Sequence, residues 1–202
     1  MPKITFLRHA QTTANRDGIF AGRLDCSITE EGFNEAKKLF PTEKFNITYC
    51  SPLKRTSETL HAFSPNTTPI IDSRITEVDV GTWQGKEKSL IGKDLVKEFL
   101  LGNFLPEGAE SIESTDERIK DFIIDIFNKS SEYDNILVVT HNGVIRSVKR
   151  LFPDKVDTLM SKNLETFSID TKDYIQFRNS KKNSNYEKYS FKFTNNDDRE
   201  FS

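Results

Sequence analysis

The sequence is poor in the residue types that build disulfide frameworks and zinc sites. Its 202 residues include two cysteines, Cys26 and Cys50, and three histidines. Two cysteines are too few for a disulfide framework, and neither has the Cys-x-x-Cys or Cys/His spacing of a zinc site. We therefore predict ordinary thiols in a reducing cytoplasm, and no bound metal ion.

The chain also lacks an excess of charge of either sign and a long apolar run. Lysine and arginine number 29 against 31 aspartates and glutamates, which gives a net charge of -2. Because this balance creates no field that attracts a polyanion, we expect no nucleic-acid partner. No apolar segment approaches the length of a membrane-spanning helix, and the N-terminal apolar stretch is too short for a signal peptide. We predict a soluble cytoplasmic protein with no membrane partner.

The length of the chain fits one globular domain. We place this domain at residues 1–194 and expect the polar residues 195–202 to form a disordered tail. Beyond about Thr171 the composition shifts to Lys, Asn, Ser and Asp. This segment contains the alternating sequence YSFKF at residues 189–193, and we predict that it forms one or two edge strands.

The sequence does contain an alternation of short apolar segments and amphipathic ones. Segments that are apolar without alternation, typical of buried strands, occupy residues 4–7, 47–50 and 136–140. Helical patterns occupy residues 29–39, 51–61, 90–102, 114–126 and 142–151. Ser51 and Ser114 are the predicted N-caps of two of these helices. The pattern predicts an α/β fold with a mostly parallel central sheet flanked by helices.

Basic residues follow three predicted strands at the point where each strand ends. Arg8 and His9 come directly after the first strand, Arg55 lies shortly after the second, and His141 follows the third. In an open α/β sheet, the carboxyl ends of the strands form the edge where ligands bind. We therefore expect these four side chains to converge on one site.

Two arginines and two histidines at one edge favour a phosphate ligand. Guanidinium groups match phosphate oxygens bidentately, and a cationic cluster without a carboxylate triad suits an anion better than a metal. Such cations stabilise the transition state of phosphomonoester hydrolysis, whose charge lies on the equatorial oxygens. The neutral imidazole of His9 would be the nucleophile. Glu77 or Asp79 would protonate the leaving oxygen.

Six segments occur in a characteristic order: LRHAQTTAN, GRLDCSIT, SPLKRTSET, ITEVDVGTWQG, EGAES and VVTHNGVIR. Each is a weak or moderate signal alone, but the ordered set, over roughly residues 3–150, resembles the histidine phosphatase superfamily, or phosphoglycerate mutase-like family. The similarity is to its smaller phosphatases, such as the α-ribazole phosphatase-like and broad-specificity groups. It implies the three-layer fold of that family. It also implies metal-independent hydrolysis of a small phosphate ester through a phosphohistidine, without a cofactor.

The resemblance implies roles for individual residues. His9 matches the phosphorylated histidine of the family, and Arg8 and Arg55 match its phosphate-binding arginines. His141 matches the second histidine, which hydrogen-bonds the transferring phosphoryl group. Glu77 matches the proton donor, so the resemblance favours it over the nearby aspartate.

Further positions match the phosphate pocket of the family less directly. Asn15 matches a polar residue that contacts the phosphate, and Gly22 and Arg23 lie in the loop that lines the pocket. Asn142 replaces a frequent glycine, and its amide could alter the selectivity of the pocket. Ala10 also replaces a glycine, and we expect a modest backbone adjustment because alanine lacks glycine's freedom at positive φ.

The sequence alone leaves three other functions to be considered. A phosphoglycerate mutase would return the phosphoryl group to the same acid, but residues 85–108, in the expected lid over the pocket, contain no arginine to clamp a carboxylate. A non-catalytic module that binds a phosphate ligand should have lost part of the His/Arg/Glu set, all of which is present. A metal site on His9, His61 and His141 would require three distant elements to converge without an acidic ligand.

Overall fold

The computed structural model describes residues 2–39, 44–153 and 160–180. Its strands are β1 (Lys3–Arg8), β2 (Ile47–Cys50), β3 (Ile70–Ile71), β4 (Asn135–Thr140) and β5 (Thr166–Asp170). Its α-helices are α1 (Thr13–Arg16), α2 (Glu30–Lys37), α3 (Lys54–Phe63), α4 (Lys88–Ile91), α5 (Lys93–Leu101), α6 (Ile112–Lys129), α7 (Asn142–Leu151) and α8 (Thr171–Ser180). Short 3-10 helices lie at Ser73–Ile75 and Gly81–Trp83.

The described strands form one sheet in the order β3-β2-β4-β1-β5. β1 pairs with β4, and β2 pairs with β3 and β4, in parallel, whereas β5 pairs with β1 in antiparallel orientation. The predicted α/β fold with a mostly parallel sheet is therefore confirmed. Arg8 at the end of β1 lies opposite Thr140 at the end of β4. The residues that follow them, His9 and His141, consequently leave the sheet side by side.

Helices cover both faces of the sheet, which explains why its strands are apolar without alternation. Ile136 and Val138 of β4 pack into a cluster with side chains from α6, α7 and α8. Leu137 and Val139 point to the opposite face, where they pack with Leu60 of α3. The predicted strands thus form the centre of two apolar layers.

Two helices begin at residues other than those that the sequence predicts. Ser51 is not the N-cap of α3, which begins at Lys54. The Ser51 hydroxyl instead lies 2.7 Å from His141 Nε2. In α6 the N-cap is Ser111, whose hydroxyl accepts a hydrogen bond from Ser114 N at 3.1 Å. Ser114 therefore lies inside the first turn, and the prediction that it is the N-cap is wrong.

The helix predicted over residues 90–102 is interrupted. Gly92 has a φ of 89° and separates α4 from α5. A residue with positive φ cannot continue a right-handed helix, and glycine adopts this conformation without a steric penalty. The single predicted helix is therefore two short ones.

The C-terminal part of the described chain differs from its prediction. Beyond residue 171 the composition predicts edge strands, but the structure has α8 there, preceded by the unpredicted strand β5. The strand predicted at 189–193 and the tail predicted at 195–202 lie outside the described residues. None of the helices in the described ranges is long and apolar enough to cross a membrane.

Candidate active site

The carboxyl ends of β1 and β4 bring the predicted catalytic residues together. The centroids of the His9 and His141 imidazole rings lie 5.3 Å apart, with an interplanar angle of 61°. A cavity of about 110 Å³ opens beside His9. Its lining includes most of the predicted site residues, namely Arg8, His9, Asn15, Gly22, Arg55, Glu77 and Asn142.

The hydrogen bond of His9 determines which of its ring nitrogens can act as a nucleophile. The side chain is buried, and its Nδ1 lies 2.7 Å from Ala10 O. Because a carbonyl oxygen can only accept, Nδ1 carries the proton and Nε2 keeps its lone pair. Burial lowers the pKa of His9 well below its ordinary value, and the charges of Arg55 and Arg8 lower this pKa further. The ring is therefore neutral at pH 7.

Ala10 occupies its position without a positive φ. Among the non-glycine residues that the structure describes, Leu164 alone has a positive φ. The Ala10 side chain is buried, and its N–H donates to Thr59 Oγ1 at 2.9 Å. Alanine is thus accommodated while its carbonyl orients His9, and this position does not need a positive φ.

Arg55 is held in one orientation by hydrogen bonds to two carbonyl oxygens and a ring nitrogen, and its Nη1 also lies 3.8 Å from Cys26 Sγ. Its Nη1 donates to Leu24 O and its Nη2 to Gly22 O, both at 2.8 Å, while its Nε donates to His141 Nδ1 at 3.2 Å. Gly22 has a φ of 51°, and a Cβ at this position would lie 2.7 Å from Val80 Cγ2. Glycine is therefore required where the loop presents its carbonyl to Arg55.

His141 is fully buried, and both of its ring nitrogens contact protein groups. Because a guanidinium can only donate, Nδ1 accepts the hydrogen bond from Arg55. Burial, followed by the charge of Arg55, lowers the pKa of His141 well below its ordinary value. The neutral ring consequently carries its proton on Nε2, which donates to Ser51 Oγ at 2.7 Å. His141 thus orients Arg55, and its contact with a phosphoryl group stays a prediction.

Arg8 is buried and is anchored by the segment that follows residue 160. Its Nη1 donates to Ser161 O. The N–H of Ser161 donates to Asn142 Oδ1 at 3.1 Å, and Asn142 Nδ2 lies 3.9 Å from Met160 Sδ. The amide of Asn142 therefore helps to hold the wall of the cavity that positions Arg8.

Asn15 is oriented by the capping box of α1. Its Oδ1 accepts from Thr12 N at 3.2 Å and from Asn163 Nδ2 at 3.3 Å. Asn163 Nδ2 also donates to His9 O at 2.9 Å. Because Oδ1 is engaged in this way, the amide nitrogen of Asn15 is the group that is suited to bind an anion.

Glu77 lines the cavity, and two backbone N–H groups hold one of its carboxylate oxygens in place. Its Oε1 accepts from Val78 N at 2.9 Å and from Gly143 N at 3.0 Å. Gly143 lies in the first turn of α7, where backbone N–H groups lack partners within the helix. A Cβ on Gly143 would overlap Glu77 Oε1. The close approach requires glycine and leaves Oε2 to exchange a proton.

Arg23 and Asp79 lie outside the cavity lining. Arg23 Nε donates to Glu77 O at 3.1 Å, and its Nη2 donates to Glu110 Oε2 at 3.2 Å. Asp79 Oδ1 accepts from Gly81 N at 2.9 Å, and its Oδ2 lies 3.6 Å from Arg23 Nη1. Both side chains support the loop that carries Glu77, and Glu77 is the carboxylate that reaches the cavity.

His61 does not join the other two histidines. It is exposed on α3 and lines a larger groove of about 630 Å³. None of the predicted site residues lines this groove. In the described ranges, no group of three His, Cys, Asp or Glu side chains is arranged to hold a metal ion. The hypothesis of a metal site on His9, His61 and His141 is therefore wrong.

The cavity lining also contains cations and apolar side chains beyond the residues described above. Two are basic, Lys88 and Arg146. Phe99 and Leu100 of the expected lid also line the cavity, together with Met160. Arg146 belongs to the VVTHNGVIR segment, and its spacing of four residues from Asn142, which places both on one helix face, could have indicated its position.

Comparison with known proteins identifies the family. A family model of the histidine phosphatase superfamily (branch 1) matches residues 4–177. Putative phosphoserine phosphatase 2 of Hydrogenobacter thermophilus is 35% identical over 159 residues, which are 73% of this chain and 77% of the relative. A 2,3-bisphosphoglycerate-dependent phosphoglycerate mutase of Rhizobium etli is 30% identical over 166 residues, which are 74% of this chain and 79% of the relative.

A solved structure supports the fold. The mycobacterial glucosyl-3-phosphoglycerate phosphatase in complex with VO3 matches with a TM-score of 0.74 and 20% identity, over 83% of this chain and 92% of that chain. At this identity the likeness concerns the fold alone. The family model and the two relatives, in contrast, match the sequence itself over most of its length. The chain therefore belongs to the histidine phosphatase superfamily, branch 1.

Proposed function

We propose that this protein is a metal-independent phosphatase that hydrolyses small phosphomonoesters through a phosphohistidine on His9. The observation that carries the proposal is the state of His9. The ring is neutral, its Nδ1 proton is committed to Ala10 O, and its Nε2 lone pair is available at a cavity that Arg8 and Arg55 also line. This is the arrangement that an in-line attack on a phosphate ester needs.

In the first step, His9 Nε2 attacks phosphorus, and the bond between phosphorus and the ester oxygen breaks. Arg8 and Arg55 stabilise the charge on the transferring oxygens. Glu77 gives the proton on its Oε2 to the leaving oxygen, because an alkoxide departs poorly at neutral pH. The hydrogen bond from His9 Nδ1 to Ala10 O stabilises the positive charge that the ring acquires.

In the second step, water attacks the phosphohistidine. The carboxylate of Glu77 takes one proton from the water as the oxygen bonds to phosphorus. The bond between His9 Nε2 and phosphorus breaks, and inorganic phosphate leaves. Neutral His9 and protonated Glu77 are restored.

The remaining predicted residues position these groups. His141 holds Arg55, while Gly22 gives Arg55 a backbone acceptor. Asn15 offers its amide nitrogen to a phosphate oxygen, and Asn142 holds the wall that anchors Arg8. Arg23 supports the Glu77 loop from outside, through the carbonyl of Glu77 itself.

The proposed substrate is a small phosphorylated metabolite in the cytoplasm. A cavity of about 110 Å³ suits a compact ester better than a large one. A relative at 35% identity is named a putative phosphoserine phosphatase. The two free cysteines are in keeping with a reducing compartment.

A phosphoglycerate mutase is the second candidate. The Rhizobium etli relative bears that name, and a mutase shares the first step on His9. Residues 85–108 contain no arginine, but Lys88 and Arg146 place two further cations at the cavity. The two reactions differ in whether the phosphoryl group passes to water or to a second oxygen of the acid.

The test is to measure phosphate release from p-nitrophenyl phosphate and a panel of small esters, in EDTA. The wild type is compared with His9→Ala, and His61→Ala serves as a control because His61 lies outside the cavity. Release that needs His9 and persists in EDTA supports the phosphatase. Interconversion of 2- and 3-phosphoglycerate without release would establish the mutase. No turnover at all would favour the binding module, and loss in EDTA would revive a metal-dependent mechanism.

A further inference from the structure

Arg146 is a cationic side chain in the cavity that the proposed mechanism does not use. It lies on α7, four residues after Asn142, and both residues line the cavity. Both also contact the same neighbour, because Asn142 Nδ2 lies 3.9 Å and Arg146 Nη1 lies 4.0 Å from Met160 Sδ. With a rise of about 1.5 Å per residue, Arg146 lies about 6 Å further along the helix than Asn142.

Among the described residues, Arg146 forms no ion pair, and its one hydrogen-bond contact is with Met160 Sδ. Within the described ranges, its Nε is buried without a hydrogen-bond partner. Arg150, the next arginine on the same helix, differs because it forms an ion pair with Asp116 at 2.6 Å. The carboxylate that shares the cavity, Glu77, is held by backbone N–H groups. A thioether sulfur is a weak acceptor, so the contact with Met160 does not balance the charge.

The guanidinium nevertheless remains charged. Burial lowers the pKa of Arg146 to about 10, and the charges of Arg150 and Arg8 act in the same direction, against the opposing effects of Glu77 and Asp116. At neutral pH almost every molecule therefore carries the proton. A half-buried cation whose buried Nε lacks a partner among the described residues is costly, and an anion that enters the cavity offsets this cost.

We propose that Arg146 is a specificity residue that binds a carboxylate of the substrate, so that the preferred substrates are phosphate esters of small hydroxy acids. This inference rests on the proposed phosphatase function. The phosphoryl group already has Arg8 at the end of β1 and Arg55 at the start of α3, whereas Arg146 lies one turn beyond Asn142 on α7. A planar guanidinium matches the fork of a carboxylate, and the Nε of Arg146 has no partner among the described residues. Lys88 at the same cavity adds positive charge that favours an anionic substrate.

The test uses two esters that differ in one carboxylate. O-phospho-L-serine carries this group, and O-phosphoethanolamine is the same molecule without it. We expect the wild type to have the higher kcat/KM with phosphoserine. Arg146→Met should lower kcat/KM for phosphoserine by about 10- to 100-fold, which is the usual loss of a charged hydrogen-bonded pair. The value for phosphoethanolamine should be nearly unchanged.

Two further variants separate charge recognition from structural damage. Arg146→Lys keeps the charge and should restore part of the preference. Arg178→Met removes an exposed arginine on α8 and should alter neither value. Activity toward phosphoethanolamine reports on folding in each case.

Several outcomes would overturn the inference. Equal losses on both esters would mean that Arg146 acts on the phosphoryl group or on the structure. A wild type without preference for the carboxylate would also refute the proposal, while its phosphatase activity would stand. If the wild type releases phosphate from no ester at all, the phosphatase function itself fails.

Discussion

The close packing of Gly143 against Glu77 allows a test of general acid catalysis that leaves Glu77 in place. In Gly143→Ala, the added Cβ would overlap Glu77 Oε1 and would lie 2.6 Å from Val78 Cγ2. The carboxyl group must move, and it loses its 3.0 Å hydrogen bond from the Gly143 N–H. We expect the variant to fold, with a loss of about 1–3 kcal/mol in the free energy of unfolding from overpacking.

The rate effect should depend on the leaving group. A misplacement of about 1 Å can cost about 100-fold in rate, and a general acid contributes about 100- to 10,000-fold. We therefore expect kcat for an alkyl ester such as glycerol phosphate to fall about 100-fold. The value for p-nitrophenyl phosphate should fall much less, since its leaving group departs without a proton. Glu77→Gln should give the same pattern, because its amide cannot supply the proton.

The assay is steady-state phosphate release across a series of esters with leaving groups of increasing pKa. Gly102→Ala provides the control. Gly102 has a φ of 78° and does not line the cavity, so alanine there should destabilise the fold by about 1–2 kcal/mol without reaching Glu77. An equal loss on alkyl and aryl esters in Gly143→Ala, or the same selective loss in Gly102→Ala, would refute the assignment of Glu77.

Two other predictions concern the buried histidines. The folded protein keeps His9 and His141 neutral, whereas the unfolded chain takes up protons below about pH 6.5, so unfolding should become easier as the pH falls from 7 to 5. Each histidine contributes up to about 1.4 kcal/mol per pH unit. Urea denaturation should show a shallower pH dependence for His9→Asn, and an unchanged slope would contradict the assigned pKa direction. Ser51→Ala should cost about 1–3 kcal/mol, because it leaves the Nε2–H of His141 unpaired. Because His141 orients Arg55, inorganic phosphate should also inhibit the Ser51→Ala variant less strongly than the wild type. Unaltered inhibition would mean that His141 does not contribute to phosphate binding.

The sequence predicts the centre of the fold well because burial on both faces leaves a clear pattern. Residues 4–7, 47–50 and 136–140 are continuous apolar runs, and all three are parallel strands of the sheet. β5 gives no such run, since most of its residues are partly exposed and the pairing with β1 defines it. Local signals also fail where tertiary contacts use the same atoms. Ser51 has the chemistry of an N-cap, but its hydroxyl is bonded to His141.

The site is predictable to the extent that strand ends determine it. Arg8, His9, Arg55 and His141 converge as the topology requires, and Glu77 joins them from a loop that the motif indicates. The sequence does not determine which atom of each side chain bonds to which partner.

Two cases show this limit. The engagement of His141 with Arg55 and Ser51 depends on ring orientation, which spacing does not encode. That Arg146 forms no ion pair among the described residues depends on which groups the nearby carboxylates bind, because Asp116 pairs with Arg150 and Glu77 accepts from backbone N–H groups.

The most direct measurement is to trap the covalent intermediate. Wild-type protein mixed with a ³²P-labelled ester and quenched in alkali within milliseconds should carry label that is stable in base and labile in acid. Peptide mapping should place the phosphoryl group on Nε2 of His9, because Nδ1 is bonded to Ala10 O. His9→Ala should carry no label. Label on another residue, label on Nδ1, or turnover without any labelled protein would contradict nucleophilic catalysis by His9 Nε2.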